Sequence, residues 1–212
     1  MSNLIKALLC FLIALILMLV YMILDKRQYV KCIPVIEYKY RTNVADVLAR
    51  YIYANTHNSY VTSEFIADRL LYYSKQLRKS SDFSNYSEKY VVTLFIAIAE
   101  VESNFNPYAK SHANAIGLMQ ICLAANKKLL TNMSSEQLYD VDTNCRAASI
   151  LLKHHIEMAK TKLIHTKHDK YDIIRKMLNI YSHDKSGRYA SKVLNVQHKL
   201  MKLLYPNKGV KS

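Results

Sequence analysis

The sequence predicts an all-α fold, a helical domain carried behind one N-terminal transmembrane helix, and three observations lead there. Apolar residues recur at helical spacing along nearly the whole chain beyond residue 43. No stretch of useful length alternates with the period of a strand. Only 3 Gly and 3 Pro occur in 212 residues, where an average chain of that length holds about 15 Gly. Folds built on glycine-rich phosphate loops or many tight turns are therefore disfavoured. Hydrophobic residues at 51% against charged residues at 22% exclude a disordered chain. The length suits one domain plus an anchor and does not comfortably hold two.

The first element, 1–25, is read as a signal anchor. From Ala7 to Leu24 no residue is charged, with Lys6 before the run and Asp25-Lys26-Arg27 after it. About 18 apolar residues in a helix reach roughly 27 Å, close to the hydrocarbon thickness of a bilayer. A cleaved signal peptide fits less well, because Met22, Leu24 and Lys26 are too large for a small-x-small cleavage site. Lys26, Arg27, Lys31, Lys39 and Arg41 follow the run. The positive-inside rule alone would thus keep the domain in the cytoplasm, although long domains translocate with little regard to flanking charge. Orientation must be decided by the chemistry of the site.

Residues 26–42, with Pro34 and mixed charge, read as a stalk, and 43–86 as N-terminal helices packed on the domain that follows. Val44, Val47, Leu48, Tyr51 and Ile52 form one stripe, and Ile66, Leu70, Tyr73 and Leu77 a second. The polar stretch Lys79 to Ser87 separates these from a helix that starts at the cap Ser87-Glu88. Residues 87–206 make the main domain, with further helix starts at Ser134-Ser135-Glu136 and Asp142-Thr143. Its later stripes are Ile174, Met177, Tyr181 and Tyr189, Val193, Val196, Leu200. Residues 207–212 are a basic tail.

Thirty Lys and Arg against 16 acids give a formal charge of +14, which favours an anionic partner. No binding motif accompanies the interleaved tyrosines and lysines, so nucleic acid is not expected. His165-x-x-His168 and His154-His155 lack a Cys or acid to complete a ligand set. Neither a metal nor any other cofactor is expected. Cys122 and Cys145 admit two readings, a disulfide or two buried thiols.

The informative stretch is Tyr90 to Asn126. On a helix from Glu88, Val91, Phe95 and Ile98 form the core stripe and Glu102 continues it, so a carboxylate points inward at an apolar helix end. Glu100, two positions earlier, is expected to face elsewhere. Burial without a cation nearby in sequence raises a carboxyl pKa, which suits a general acid. A Glu that merely caps or pairs across the core is the blander alternative. Asn106-Pro107 stops the helix.

Glu102-Ser103, Asn106-Pro107, Ala109, Ser111 and then Ala115-Ile116-Gly117-Leu118-Met119-Gln120 resemble the SLT-type lytic transglycosylases, relatives of goose-type lysozyme. Tyr139-Asp140, Thr143-Asn144, Ala148 and Leu151 resemble the family's second motif. Ile180-Tyr181 and Tyr189 through Val193 resemble its third. Ser182 stands where the family usually has Asn, Cys145 for Ile, Val141 for Pro and Ala148 for Gly. The third motif's glycine-rich run is reduced to His183-Asp184-Lys185-Ser186-Gly187.

The resemblance implies a lysozyme-like helical domain that cleaves the β-1,4 bond between N-acetylmuramic acid and N-acetylglucosamine, leaving a 1,6-anhydro ring. It implies Glu102 as acid and then base. Ser111 and Tyr181 would orient the acid and the substrate N-acetyl group. Ser103, Gly117, Leu118, Met119, Gln120, Asn144 and Tyr189 complete the expected substrate contacts, with Gly117 permitting close backbone approach. The implied partners are peptidoglycan glycan strands and the inner membrane, with the domain in the periplasm and a secretion, conjugation or motility complex as a further candidate partner. A lysozyme that uses water in the same site, a catalytically silent wall-binding protein, and a cytoplasmic protein held at the inner leaflet are the competing readings.

Overall fold

The computed structural model describes residues 44–206. The expected anchor (1–25), stalk (26–42) and basic tail (207–212) lie outside the described residues. Among the described residues no helix is long and apolar enough to cross a membrane. They belong to a unit that begins at Asn43.

Among the described residues six α-helices carry the architecture: α1 Val44–Asn55, α2 Tyr60–Lys79, α3 Glu88–Ser103, α4 Val141–Leu163, α5 Lys170–Tyr181 and α6 Arg188–Leu204. The expected stripes supply their buried faces. Leu48 and Ile52 are buried on α1, Ile66, Leu70 and Leu77 on α2, and Val193 and Leu200 on α6. The caps explain where the helices start. Ser59 accepts from the Thr62 amide, Ser87 from Tyr90 and Asp140 from Thr143, each relieving a backbone donor of the first turn. Asp169 and Asp172 make a reciprocal capping box at the start of α5.

Three local expectations are corrected. The helix expected at Asp142-Thr143 begins earlier, because Asp140 rather than Asp142 takes the cap. Ser134-Ser135-Glu136 leads only to a one-turn 3-10 segment, Gln137–Tyr139. The polar stretch after Lys79 is no mere spacer: Phe83 and Tyr86 in it are buried, and Tyr86 Oη donates to the Lys170 carbonyl at 2.6 Å.

Helix α3 is the centre. Every residue from Val91 to Ala99 is buried, so its apolar character runs right round the axis rather than along one stripe. It packs between α2 and α6, while α4 lies against α2 and α5. Residues 104–140 hold no regular helix beyond short 3-10 turns. Isolated antiparallel bridges pair Ile116 with Lys110 and with Ile121. This loop-rich segment leans on the end of α3, and the site lies where they meet.

Candidate active site

The end of α3 is unusual in its backbone. Asn104 and Phe105 both have positive φ, at 50° and 58°. Asn commonly tolerates this region, but a buried Phe there is strained and must be held by its surroundings. Phe105 is fully buried, meets the Tyr51 ring edge-on at 6.3 Å, and its carbonyl accepts from Asn58 Nδ2 at 2.9 Å. Asn104 Nδ2 reaches the Asn55 carbonyl at 3.3 Å. The sharp exit turns the chain away just after Glu102 and leaves its carboxyl in an open cavity.

That cavity, about 600 Å³, is lined by Glu100, Glu102, Ser103, Ala109, Lys110, Gln120, Lys192 and neighbours. Tyr189 Oη donates to Glu102 Oε1 at 2.5 Å. Burial raises the Glu102 pKa, while the Tyr189 hydrogen bond and the Lys192 ammonium pull it back down. The carboxyl is therefore set to hold a proton at higher pH than an exposed one, yet has a donor in place to stabilise it once ionised. Both halves of an acid-then-base cycle are served.

Glu100 departs from expectation. It lines the same cavity, and Tyr51 Oη lies 3.0 Å from each of its carboxyl oxygens. Burial raises its pKa too, opposed by that hydrogen bond and by Lys199. The rotation between the two glutamates is as expected for i and i+2. What spacing along one helix could not show is that the concavity wraps far enough to take in both.

The loop after α3 is built round Asn144. This side chain, 1% exposed, accepts from the Met119 amide at 2.8 Å and donates to the Ile116 and Leu138 carbonyls at 2.9 and 2.7 Å. Gly117, with φ of 77°, packs directly on it: a Cβ there would overlap both the Asn144 amide and the Leu138 carbonyl. The close approach expected of Gly117 is thus an internal one. Ser103 Oγ donates to the Leu118 carbonyl at 2.7 Å and accepts from the Asn106 amide, fastening this loop to α3.

The expected substrate residues divide accordingly. Ser103 and Gln120 line the Glu102 cavity, and Tyr189 touches the Glu102 carboxyl itself. Leu118, Met119 and Asn144 have buried side chains, so these shape the site from behind. Ser111 pairs with Ala115, accepting its amide at 3.0 Å, within the loop. Tyr181 Oη donates to the Met119 carbonyl at 2.8 Å, so the hydrogen bond to the Glu102 carboxyl comes from Tyr189 rather than from Ser111 or Tyr181. Ser182, in the usual Asn position, bonds the Leu178 carbonyl and receives the Asp184 amide. Asp184 in turn accepts from Ser186 and from the Tyr189 amide, and these bonds lower its pKa to about 2.

Sequence reasoning missed Tyr51, Lys110 and Lys192. Lys192 lies one turn beyond Tyr189 on α6, a spacing that could have placed it on the same face. Tyr51 gave no comparable signal. Cys122 and Cys145 are both free, and burial pushes the Cys145 thiol pKa up. His165 and His168 are exposed in the turn between α4 and α5.

The family model described as the transglycosylase SLT domain matches residues 82–199. The chain belongs to this family. The SLT match takes in Glu102, the Asn144-centred loop and Tyr189, and it begins after α2. Among curated relatives, the membrane-bound lytic murein transglycosylase C of Glaesserella parasuis serovar 5 is 40% identical over 68 residues, 29% of this chain and 19% of the relative. The protein of that name from Haemophilus ducreyi is 44% identical over 69 residues, 30% of this chain and 17% of the relative. That from Salmonella typhi is 60% identical over 37 residues, 16% and 10% of the two chains. The aligned part of this SLT protein thus spans less than a fifth of each of these relatives. No solved structure matches the chain.

Proposed function

We propose that the protein is a peptidoglycan lytic transglycosylase with Glu102 as its acid and base. The observation that carries this reading is the Glu102 carboxyl itself, with its raised pKa and the Tyr189 hydroxyl donating to it, at the end of α3. Glu102 protonates the glycosidic oxygen between N-acetylmuramic acid and N-acetylglucosamine, and the leaving sugar departs with that proton. The substrate's own N-acetyl oxygen covers the cationic C1. Ionised Glu102, held by Tyr189, then removes the proton of the muramic C6 hydroxyl as its oxygen closes onto C1. The acid is restored, and no water is consumed.

Glu100, the other carboxyl lining the Glu102 cavity, is the rival that could activate water. Tyr51 sits against both its oxygens, which favours a structural duty for it. A C6 hydroxyl on the same sugar also has an effective concentration that free water lacks.

The relatives' names supply the membrane-bound part of the reading. In it the uncharged run from Ala7 to Leu24 anchors the chain in the inner membrane, with the domain on the periplasmic side where its substrate lies. Wall turnover or local wall opening for an envelope machine would both use this activity.

The test is digestion of purified peptidoglycan with mass analysis. Products ending in 1,6-anhydromuramic acid, lighter by one water than hydrolysed ends, are expected from the native protein. None are expected from a folded Glu102→Gln protein. Reducing ends as the main early product would replace the transglycosylase with a lysozyme, and activity surviving in Glu102→Gln would remove Glu102 from its role.

A further inference from the structure

A second, larger concavity of about 1300 Å³ lies between the 124–131 segment, the later turns of α4, and the end of α5 with the loop after it. Its floor is partly apolar, with Ala124, Leu129, Met158 and Ile180. Five lysines also line it: Lys127, Lys128, Lys162, Lys176 and Lys185. None of the five makes an ion pair among the described residues. The one carboxylate there, Asp184, is already engaged by Ser186 and the Tyr189 amide.

Two polar atoms in the lining are buried without a partner, His155 Nδ1 and Asn179 Oδ1. His155 is only 7% exposed. Buried polar atoms are nearly always satisfied, so such a pair in one lining points to a ligand or solvent that satisfies them. The concavity also adjoins the Glu102 machinery. The Tyr181 ring meets His155 edge-on at 5.9 Å, while Tyr181 Oη bonds the Met119 carbonyl.

We propose that this lysine-rimmed concavity holds the carboxylates of peptidoglycan stem peptides, which makes the peptide-bearing strand the preferred substrate. The inference rests on the transglycosylase reading. The sugar rings of the strand are uncharged and need no cations; its acids are those of the peptides, or of the lactyl groups where peptides have been removed. The cations come from three separate segments round a space far larger than one carboxylate. That arrangement suits an extended peptide carrying more than one acid better than a single lactyl group on the sugar.

The experiment uses the full chain carrying Glu102→Gln, so that strands survive, and measures affinity by titration calorimetry. The probes are soluble peptide-bearing strands, the same strands stripped of peptide by an amidase, and neutral chitin oligosaccharides. Peptide-bearing strands should bind about tenfold tighter than stripped ones, as expected of two weak lysine–carboxylate contacts. The advantage should shrink as salt rises. It should fall towards unity with Lys162→Gln and Lys176→Gln together, and return with Arg at both positions. Equal affinity for bearing and stripped strands overturns the proposal, and both binding above chitin would assign the lysines to lactyl groups. An advantage that persists in the double Gln protein overturns it as well. Failure to bind any probe, with no cleavage by the native protein, would instead mark failure of the transglycosylase reading on which the proposal stands.

Discussion

The Asn144→Ala substitution isolates what holds the loop beside Glu102. Asn144 makes three hydrogen bonds, but their loss is not equal. The Ile116 carbonyl keeps the Ile121 amide at 2.9 Å, whereas the Met119 amide and the Leu138 carbonyl are both held by Asn144. Two buried groups are thus orphaned, at about 1–3 kcal/mol each, giving a central figure of about 4 kcal/mol. At 2–4 °C of melting temperature per kcal/mol for a domain of this size, the drop is roughly 8–16 °C. Thermal and urea unfolding followed by circular dichroism measure it. Asn144→Asp provides the contrast: ionised, it keeps the acceptor for Met119 but sets a carboxylate against two carbonyl oxygens. It should therefore be less stable at pH 7 than at pH 4, where protonation restores one donor. A loss below about 1 kcal/mol in Asn144→Ala, under the low end for even one orphaned buried group, would refute the view of Asn144 as the loop's anchor.

Three other perturbations probe the site. Tyr189→Phe removes the donor that stabilises ionised Glu102, so the pKa rises further. The alkaline limb of kcat/KM should move to higher pH while kcat falls, and a move to lower pH in the rate profile would contradict the assigned roles. Tyr51→Phe strips the donor from Glu100, whose ionised form then loses support. The loss of about 1 kcal/mol should be evident at pH 8 and largely absent at pH 4, by denaturant titration at both. His155 is kept neutral by burial, reinforced by His154 and His183, with its pKa lowered to about 4. The unfolded chain binds its proton from about pH 6.5 downward, so stability should fall between there and pH 4, and melting curves of His155→Gln should show a flatter acid arm.

Much of the fold was legible because it is local. Ser87 and the apolar run behind it mark the start of α3, and the stripes on α1, α2 and α6 announce which residues they bury. The ordered residues from Glu102 to Gln120 carried the family. The missing parts are long-range. Asn144 bonds backbone atoms 25 and 28 positions away, and nothing about an Asn in a helix reveals that its whole hydrogen-bonding capacity is turned on another loop. Helix arithmetic gave the angle between Glu100 and Glu102 but not the neighbour that waits on Glu100's side. Phe83 and Tyr86 were hidden by the polar residues round them, because burial there depends on α5, whose Lys170 carbonyl receives the Tyr86 hydroxyl.

The grip of α1 and the turn after it on the C-terminal end of α3 separates two things that homology tends to merge. The recognisable family region starts at residue 82, yet Tyr51, Asn55 and Asn58 hold Glu100, Asn104 and Phe105 from before that point. The region the family model matches is therefore smaller than the set of residues that holds the end of α3. Transplanting the shared region into another scaffold would carry over the acid and its tyrosine, but leave the strained exit of the central helix without its brace. In this protein the segment ahead of the family region serves as the brace behind the candidate site.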